Sequence, residues 1–127
     1  MEKTRKPSVM VVDDDSIMRQ MLKLILQSEN YQVVGEAADG VNAVILCARL
    51  KPDLVLLDIN MPIMDGLQTL DEIHKMNPAV KVMMVSAEAT MDRVSEAIKR
   101  GASGFLVKPL NAANVLNRIE SCFKERA

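Results

Sequence analysis

Five short apolar runs divide the chain at nearly even intervals: Val9–Val12, Val33–Ala37, Leu54–Leu57, Val80–Val85 and Phe105–Val107. Each is continuous rather than alternating, the pattern of strands covered on both faces. Between them the apolar positions recur at helical spacing. Ile17, Met21, Leu24 and Ile25 form one stripe, Val41, Val44 and Ala48 a weaker second, and Leu67, Leu70, Ile73 and His74 a third. Met91, Val94, Ala97 and Ile98 make the fourth, and Ala112, Val115, Leu116, Ile119, Cys122 and Phe123 the clearest, the fifth. Ser16 and Asn111 stand where N-caps are expected, and Gly101 where a helix ends. Five strands alternating with five helices predict an α/β fold, a single doubly wound parallel sheet with helices on both faces. Right-handed crossovers leave few topologies, and the order 2-1-3-4-5 is the expectation.

Composition narrows the class. The 127 residues are 49% apolar and 26% charged, with net charge -1, which suits one globular domain. Aromatics make up 2% while methionines number ten, so the core must be built from aliphatic side chains and Met. No basic stripe marks a nucleic-acid interface, and no apolar run is long enough to span a bilayer. The start lacks the apolar segment of a signal peptide, and Lys3, Arg5 and Lys6 read as a short solvated tail. A cytoplasmic protein is expected. Cys47 and Cys122 lack metal-site spacing and read as buried free thiols, and His74 is the only histidine.

In sheets of this kind ligands bind at the carboxyl ends of the strands, near the point where strand order reverses. Asp13, Asp14 and Asp15 follow the first run, Asp58 the third, Ser86 the fourth and Lys108-Pro109 the fifth. Three adjacent acids repel one another, and burial at a strand end raises the cost of ionising them. A divalent cation offsets that cost, and oxygen-only donors without His or Cys favour Mg²⁺ over zinc. Asp13 and Asp14 are read with Asp58 as a metal set, and Asp15 as a cap on the first helix. Asp58 ends a run with no polar residue, and a buried charge there needs a partner. Lys108 supplies the counter-charge and Ser86 a small hydroxyl. Asp65-Gly66 reads as the turn into the third helix, with Asp65 a turn or cap residue rather than a ligand. The isomer of the Lys108–Pro109 bond is left open by the sequence.

Asp13-Asp14, the segment from Asp58 through Met61-Pro62 to Asp65-Gly66, Ser86-Ala87 and Lys108-Pro109 together resemble the receiver domain of two-component response regulators. The resemblance runs from about Ser8 to Phe123 and implies a flavodoxin-like, CheY-like fold, a single receiver domain over 1–127 without an output domain. It implies that Asp58 accepts a phosphoryl group from a sensor histidine kinase or a phosphotransfer protein. It further implies Mg²⁺, or Mn²⁺ in its place, on Asp14, Asp58 and the backbone carbonyl of Asn60, with Asp13 acting largely through water. Ser86, Lys108 and Phe105 would be the phosphoryl-binding and switch residues, and Asn60 and Glu88 would face the site and tune the lifetime of the phosphorylated state.

Such a chain is a switch rather than a turnover enzyme, limited to self-catalysed phosphotransfer and autodephosphorylation. Its output would be a downstream protein met through the face of the fourth helix, fifth strand and fifth helix, as a monomer or a phosphorylation-dependent dimer. Two features depart from the family's habit: serine at 86, where threonine is frequent, and phenylalanine at 105, where chemotaxis regulators usually carry tyrosine. The second argues against a flagellar-motor role, because phenylalanine donates no hydrogen bond. Rival readings are a receiver cut from a longer regulator, an aspartate-nucleophile phosphatase built on Asp13 and Asp15, and a flavodoxin. Three aspartates in the first loop would repel the phosphate that a flavodoxin must cradle.

Overall fold

In the computed structural model, which describes residues 6–124, strands and helices alternate: β1 (Ser8–Val12), α1 (Ser16–Ser28), β2 (Gln32–Ala37), α2 (Gly40–Leu50), β3 (Leu54–Asp58), α3 (Gly66–Met76), β4 (Lys81–Ser86), α4 (Met91–Lys99), β5 (Gly104–Val107) and α5 (Ala112–Phe123). All pairings are parallel and the strand order is β2-β1-β3-β4-β5. The expected fold is the observed one. Lys3, Arg5 and the last three residues of the chain lie outside the described residues. Lys6 is tied down rather than free: its Nζ donates to the Glu29 carbonyl at 2.8 Å and lies 4.6 Å from the centroid of the Tyr31 ring.

Period-two alternation sorts the strand side chains into two cores. Met10, Val12, Val55, Leu57, Val82, Met84 and Phe105 pack against α2, α3 and α4. Val9, Val11, Leu54, Leu56, Met83, Val85 and Leu106 pack against α1 and α5 through Leu22, Leu26, Val115 and Ile119. Every residue of β3 is buried, whereas in β2, at the sheet edge, only Ala37 is. The two-faced cover expected of all five runs is therefore full only toward the sheet centre.

Several helix expectations are corrected. The α1 stripe is rotated: Ile17 and Leu24 are exposed, and Leu22 and Leu26 are the buried pair, with Ile25 beside them. In α2 the buried positions are Gly40, Ala43 and Cys47, while Val41 and Ala48 face solvent. Met91 and Ile98 of α4 are exposed, leaving Ala97 and Val94 inward. Several stripes of similar apolarity can be drawn on such helices, and docking geometry selects among them.

The first cap is Asp15 rather than Ser16; its carboxylate accepts from the Ile17 amide at 2.9 Å. Asp65 caps α3 in a reciprocal box with Gln68, and Asn111 caps α5 as expected. Gly101 follows α4 at φ +101°, the left-handed geometry a glycine adopts most easily. Cys47 is buried and Cys122 only half-buried; both are free thiols.

Candidate functional site

Asp58 is the last residue of the central strand, and the alternation that turns Leu54 and Leu56 toward α1 and α5 carries it to that side. β1 lies beside β3 in register, Val12 opposite Leu57, so Asp13 arrives next to Asp58. β5 sits two strands away, and Lys108, one residue beyond its end, reaches across. Its Nζ lies 3.2 Å from Asp13 Oδ2 and 3.5 Å from Asp58 Oδ1. Both exceed the about 2.7–2.9 Å of a tight charge-assisted bond, so the ammonium is shared between two carboxylates. The Lys108–Pro109 bond is cis, and the Lys108 amide donates to the Ser86 carbonyl at 2.9 Å.

Burial sets the electrostatics. Asp13 and Asp58 are nearly inaccessible, at 1% and 4% exposure, whereas Asp14 is exposed. Burial foremost, and then the charge of Asp13, raises the Asp58 carboxyl from 3.8 to about 6; Lys108 works against them and Asp14 adds a little. For Lys108 burial works to lower the pKa, but the charges of Asp58 and Asp13 outweigh it, and the net direction is up.

One carboxylate oxygen each from Asp13, Asp14 and Asp58 lies within 4.8 Å of the others. Asp13 Oδ1 accepts from the Asp15 amide at 2.9 Å, which leaves Oδ2 facing the site. Oδ2 is buried and receives no well-directed hydrogen bond, despite the nearby ammonium. A buried, orphaned carboxylate oxygen in an all-oxygen cluster is what a hydrated hard cation would satisfy. These three acids fit Mg²⁺.

The remaining expected residues divide. Ser86 is fully buried at the end of β4; its Oγ accepts from the Glu88 amide at 3.0 Å and donates weakly to the Glu88 carbonyl at 3.4 Å. Phe105 pairs in register with Met84, two residues before Ser86, and is already inward at 7% exposure. Asn60 is exposed in the loop after β3, and the Glu88 carboxylate lies 3.5 Å from Arg93 Nη2, toward α4. The expectation that Asn60 and Glu88 both face the site therefore gains no contact here.

Arg19 escaped the reading of the sequence, and Gly66 was read there only as a turn residue. Gly66 packs directly on the end of β3: a Cβ there would lie 2.3 Å from the Asp58 carbonyl oxygen and 2.6 Å from Ile59 Cα. Arg19 of α1 donates through Nη1 to the Asp13 carbonyl at 2.7 Å and through Nε to Glu36 at 2.8 Å. Glu36 sits near the carboxyl end of β2, opposite Val11.

Residues 9–120 match the model of the response regulator receiver domain. The chain belongs to this family. It is 44% identical to the chemotaxis protein CheY of Listeria monocytogenes over 116 residues, 91% of this chain and 98% of that protein. The CheY of Thermotoga maritima is 42% identical, with 91% and 97% covered. Among solved structures, CheY-like folds superimpose closely. One is the CheX-CheY-BeF3-Mg complex from Borrelia burgdorferi, with a TM-score of 0.91, 38% identity, and 93% of this chain and 90% of that chain covered. As a receiver of the two-component type, this chain shares the family's general role of accepting a phosphoryl group. Among the described residues, no helix is long and apolar enough to cross a membrane.

Proposed function

We propose that Asp58 is the phosphoacceptor of a Mg²⁺-dependent switch, taking its phosphoryl group from a phosphohistidine on a kinase or phosphotransfer protein. The observation that carries this reading is the burial of Asp58 at the carboxyl end of the central strand, beside Asp13 and 3.5 Å from Lys108. A carboxylate oxygen of Asp58 attacks phosphorus in line with the leaving imidazole nitrogen; the new P–O bond forms as the P–N bond breaks, and the imidazole keeps the electron pair and is protonated. With a carboxyl titrating near 6, the acid is largely ionised at neutral pH and so nucleophilic.

Asp14 and Asp58 would hold the cation, with Asp13 acting largely through water, and the Asn60 carbonyl would complete the set as the family resemblance implies. When bound, Mg²⁺ supplies charge neutralisation for the phosphoryl oxygens. Lys108 pairs with Asp58 before transfer and can follow the phosphoryl group afterwards, since its contacts are long and shared. The Ser86 hydroxyl, whose own donated bond to the Glu88 carbonyl is long at 3.4 Å, is free to turn and donate to a phosphoryl oxygen. That turn would alter the loop leading into α4 and, through Phe105, the α4-β5-α5 face presented to a downstream protein. Hydrolysis of the acyl phosphate resets the switch, so the chain is not a turnover enzyme.

Incubation with Mg²⁺ and acetyl phosphate or phosphoramidate, followed by intact mass, tests the assignment. A labile adduct should form on the wild type, vanish in Asp58→Asn and persist, though formed more slowly, in Asp13→Asn, which weakens the metal site but keeps the acceptor. An adduct that needs Asp13 and not Asp58 would support the phosphatase reading instead; no adduct with either donor would refute the proposal.

A further inference from the structure

Two cations reach the acidic cluster, and they hold different things. Lys108 meets the carboxylates, whereas Arg19 meets the backbone that carries them. The backbone of Asp13 is held at both ends: its amide donates to the Ala37 carbonyl at 3.1 Å, and its carbonyl accepts from Arg19 Nη1 at 2.7 Å. That carbonyl belongs to the same rigid peptide plane as the Asp14 nitrogen. Fixing it limits the rotation that sets where the Asp14 side chain leaves the main chain. Asp14 is the exposed member of the three acids, so burial gives its carboxylate little direction.

Arg19 is itself braced. Its Nε donates to Glu36 Oε1 at 2.8 Å, and Lys23 Nζ meets the other oxygen of Glu36 at 2.6 Å. The side-chain bonds from Lys23 and then Arg19 hold the Glu36 carboxyl below its ordinary pKa, so it stays ionised. The Arg19 side chain is 18% exposed, shielded enough for its planar fork to keep one orientation. The strut thus runs from Glu36 on β2 through Arg19 on α1 to the peptide between Asp13 and Asp14.

We infer that Arg19 is a positioning residue for the metal acids, setting the direction of Asp13 and Asp14 through the backbone rather than touching the cation. The inference rests on the reading of these acids as a Mg²⁺ site. Residues that orient metal ligands typically change affinity by roughly 10–100-fold when removed.

Calorimetric titration of the unphosphorylated protein with Mg²⁺ alone, beside urea unfolding in chelator, tests it. Arg19→Ala should weaken Mg²⁺ binding about tenfold. Glu36→Gln, which keeps Arg19 but loosens its brace, should weaken it less. Arg19→Lys should recover part of the loss, because a lysine can still donate one bond to the carbonyl. A merely structural role would lower stability in chelator and leave Mg²⁺ affinity unchanged. Folded Arg19→Ala binding Mg²⁺ within twofold of the wild type therefore overturns the inference alone. If Arg19→Ala does not fold, the decision falls to Glu36→Gln and Arg19→Lys, and unchanged affinity in both overturns it. A wild type that binds no Mg²⁺ overturns it together with the metal site.

Discussion

Replacing Asp58 with asparagine should stabilise the metal-free protein at neutral pH. The carboxyl is 4% exposed and titrates near 6 instead of 3.8, because burial and the charge of Asp13 outweigh the help from Lys108. Between those two pH values the folded chain binds a proton at Asp58 that the unfolded chain has lost, so stability falls as pH rises. At about 1.4 kcal/mol per pH unit, the interval corresponds to about 3 kcal/mol. The penalty is absent below the unfolded value and complete above the folded one. Asparagine keeps the shape and removes the charge, but it also weakens the contact 3.5 Å from Lys108, which keeps Asp13 at 3.2 Å. The net gain expected near pH 7.5 is therefore about 1–3 kcal/mol, or roughly 4 °C in Tm per kcal/mol for a domain of this size. Urea unfolding of both proteins in chelator, near pH 7.5 and near pH 4, measures it. The advantage of the variant should shrink toward the acid end, and millimolar Mg²⁺ should narrow it at neutral pH by stabilising the wild type. An Asp58→Asn protein no more stable than wild type near pH 7.5 would refute the electrostatic argument.

Other perturbations probe the surroundings of the acid. Gly66→Ala forces a methyl against the Asp58 carbonyl and Ile59, and should cost about 1–3 kcal/mol in chemical denaturation while slowing acetyl-phosphate labelling. Lys108→Ala leaves the buried Asp13 and Asp58 carboxylates without their cation, and should destabilise the metal-free protein by about 1–3 kcal/mol near neutral pH. The loss should ease in acid as Asp58 protonates, which unfolding across pH reads directly. Asp65→Ala removes the acceptor of the α3 capping box and should lower stability by about 1 kcal/mol with Mg²⁺ affinity unchanged, as calorimetry would show. Ser86→Ala should still label at Asp58 yet fail to shift the α4 amide signals in nuclear magnetic resonance spectra on phosphorylation.

The sheet was legible because β3 and β1 are unbroken apolar runs, which suit parallel strands covered on both faces, and five of them are too few to close a barrel of eight. Helix orientation was not. In α1, Ile17 and Leu24 are as apolar as Leu22 and Leu26, and the choice between the two stripes is made by how α1 lies on β1 and α5. Asp15 and Ser16 are both good caps, and the backbone turn after Asp13 decides between them.

The site follows the same division. Asp13, Asp58 and Lys108 could be found because each follows an apolar run at a carboxyl end; strand order puts Asp13 beside Asp58, and a long side chain lets Lys108 reach both from two strands away. The same reasoning reaches Glu36 once the end of β2 is included, since β2 neighbours β1 and Val11 faces Glu36. Arg19 is harder: it is an ordinary helical arginine until the α1 rotation is known, and that rotation is one of the expectations the structure corrects. Its role depends on which face α1 presents, so a misjudged stripe and a missed strut have one cause. Gly66 is a third kind of case. The Asp65-Gly66 turn was visible, but the glycine matters because α3 begins against the Asp58 carbonyl, a tertiary contact with no local signature. Chemistry carried by strand ends is thus readable from topology, whereas the residues that hold it rigid are set by helix docking, and they appear only when the packing does.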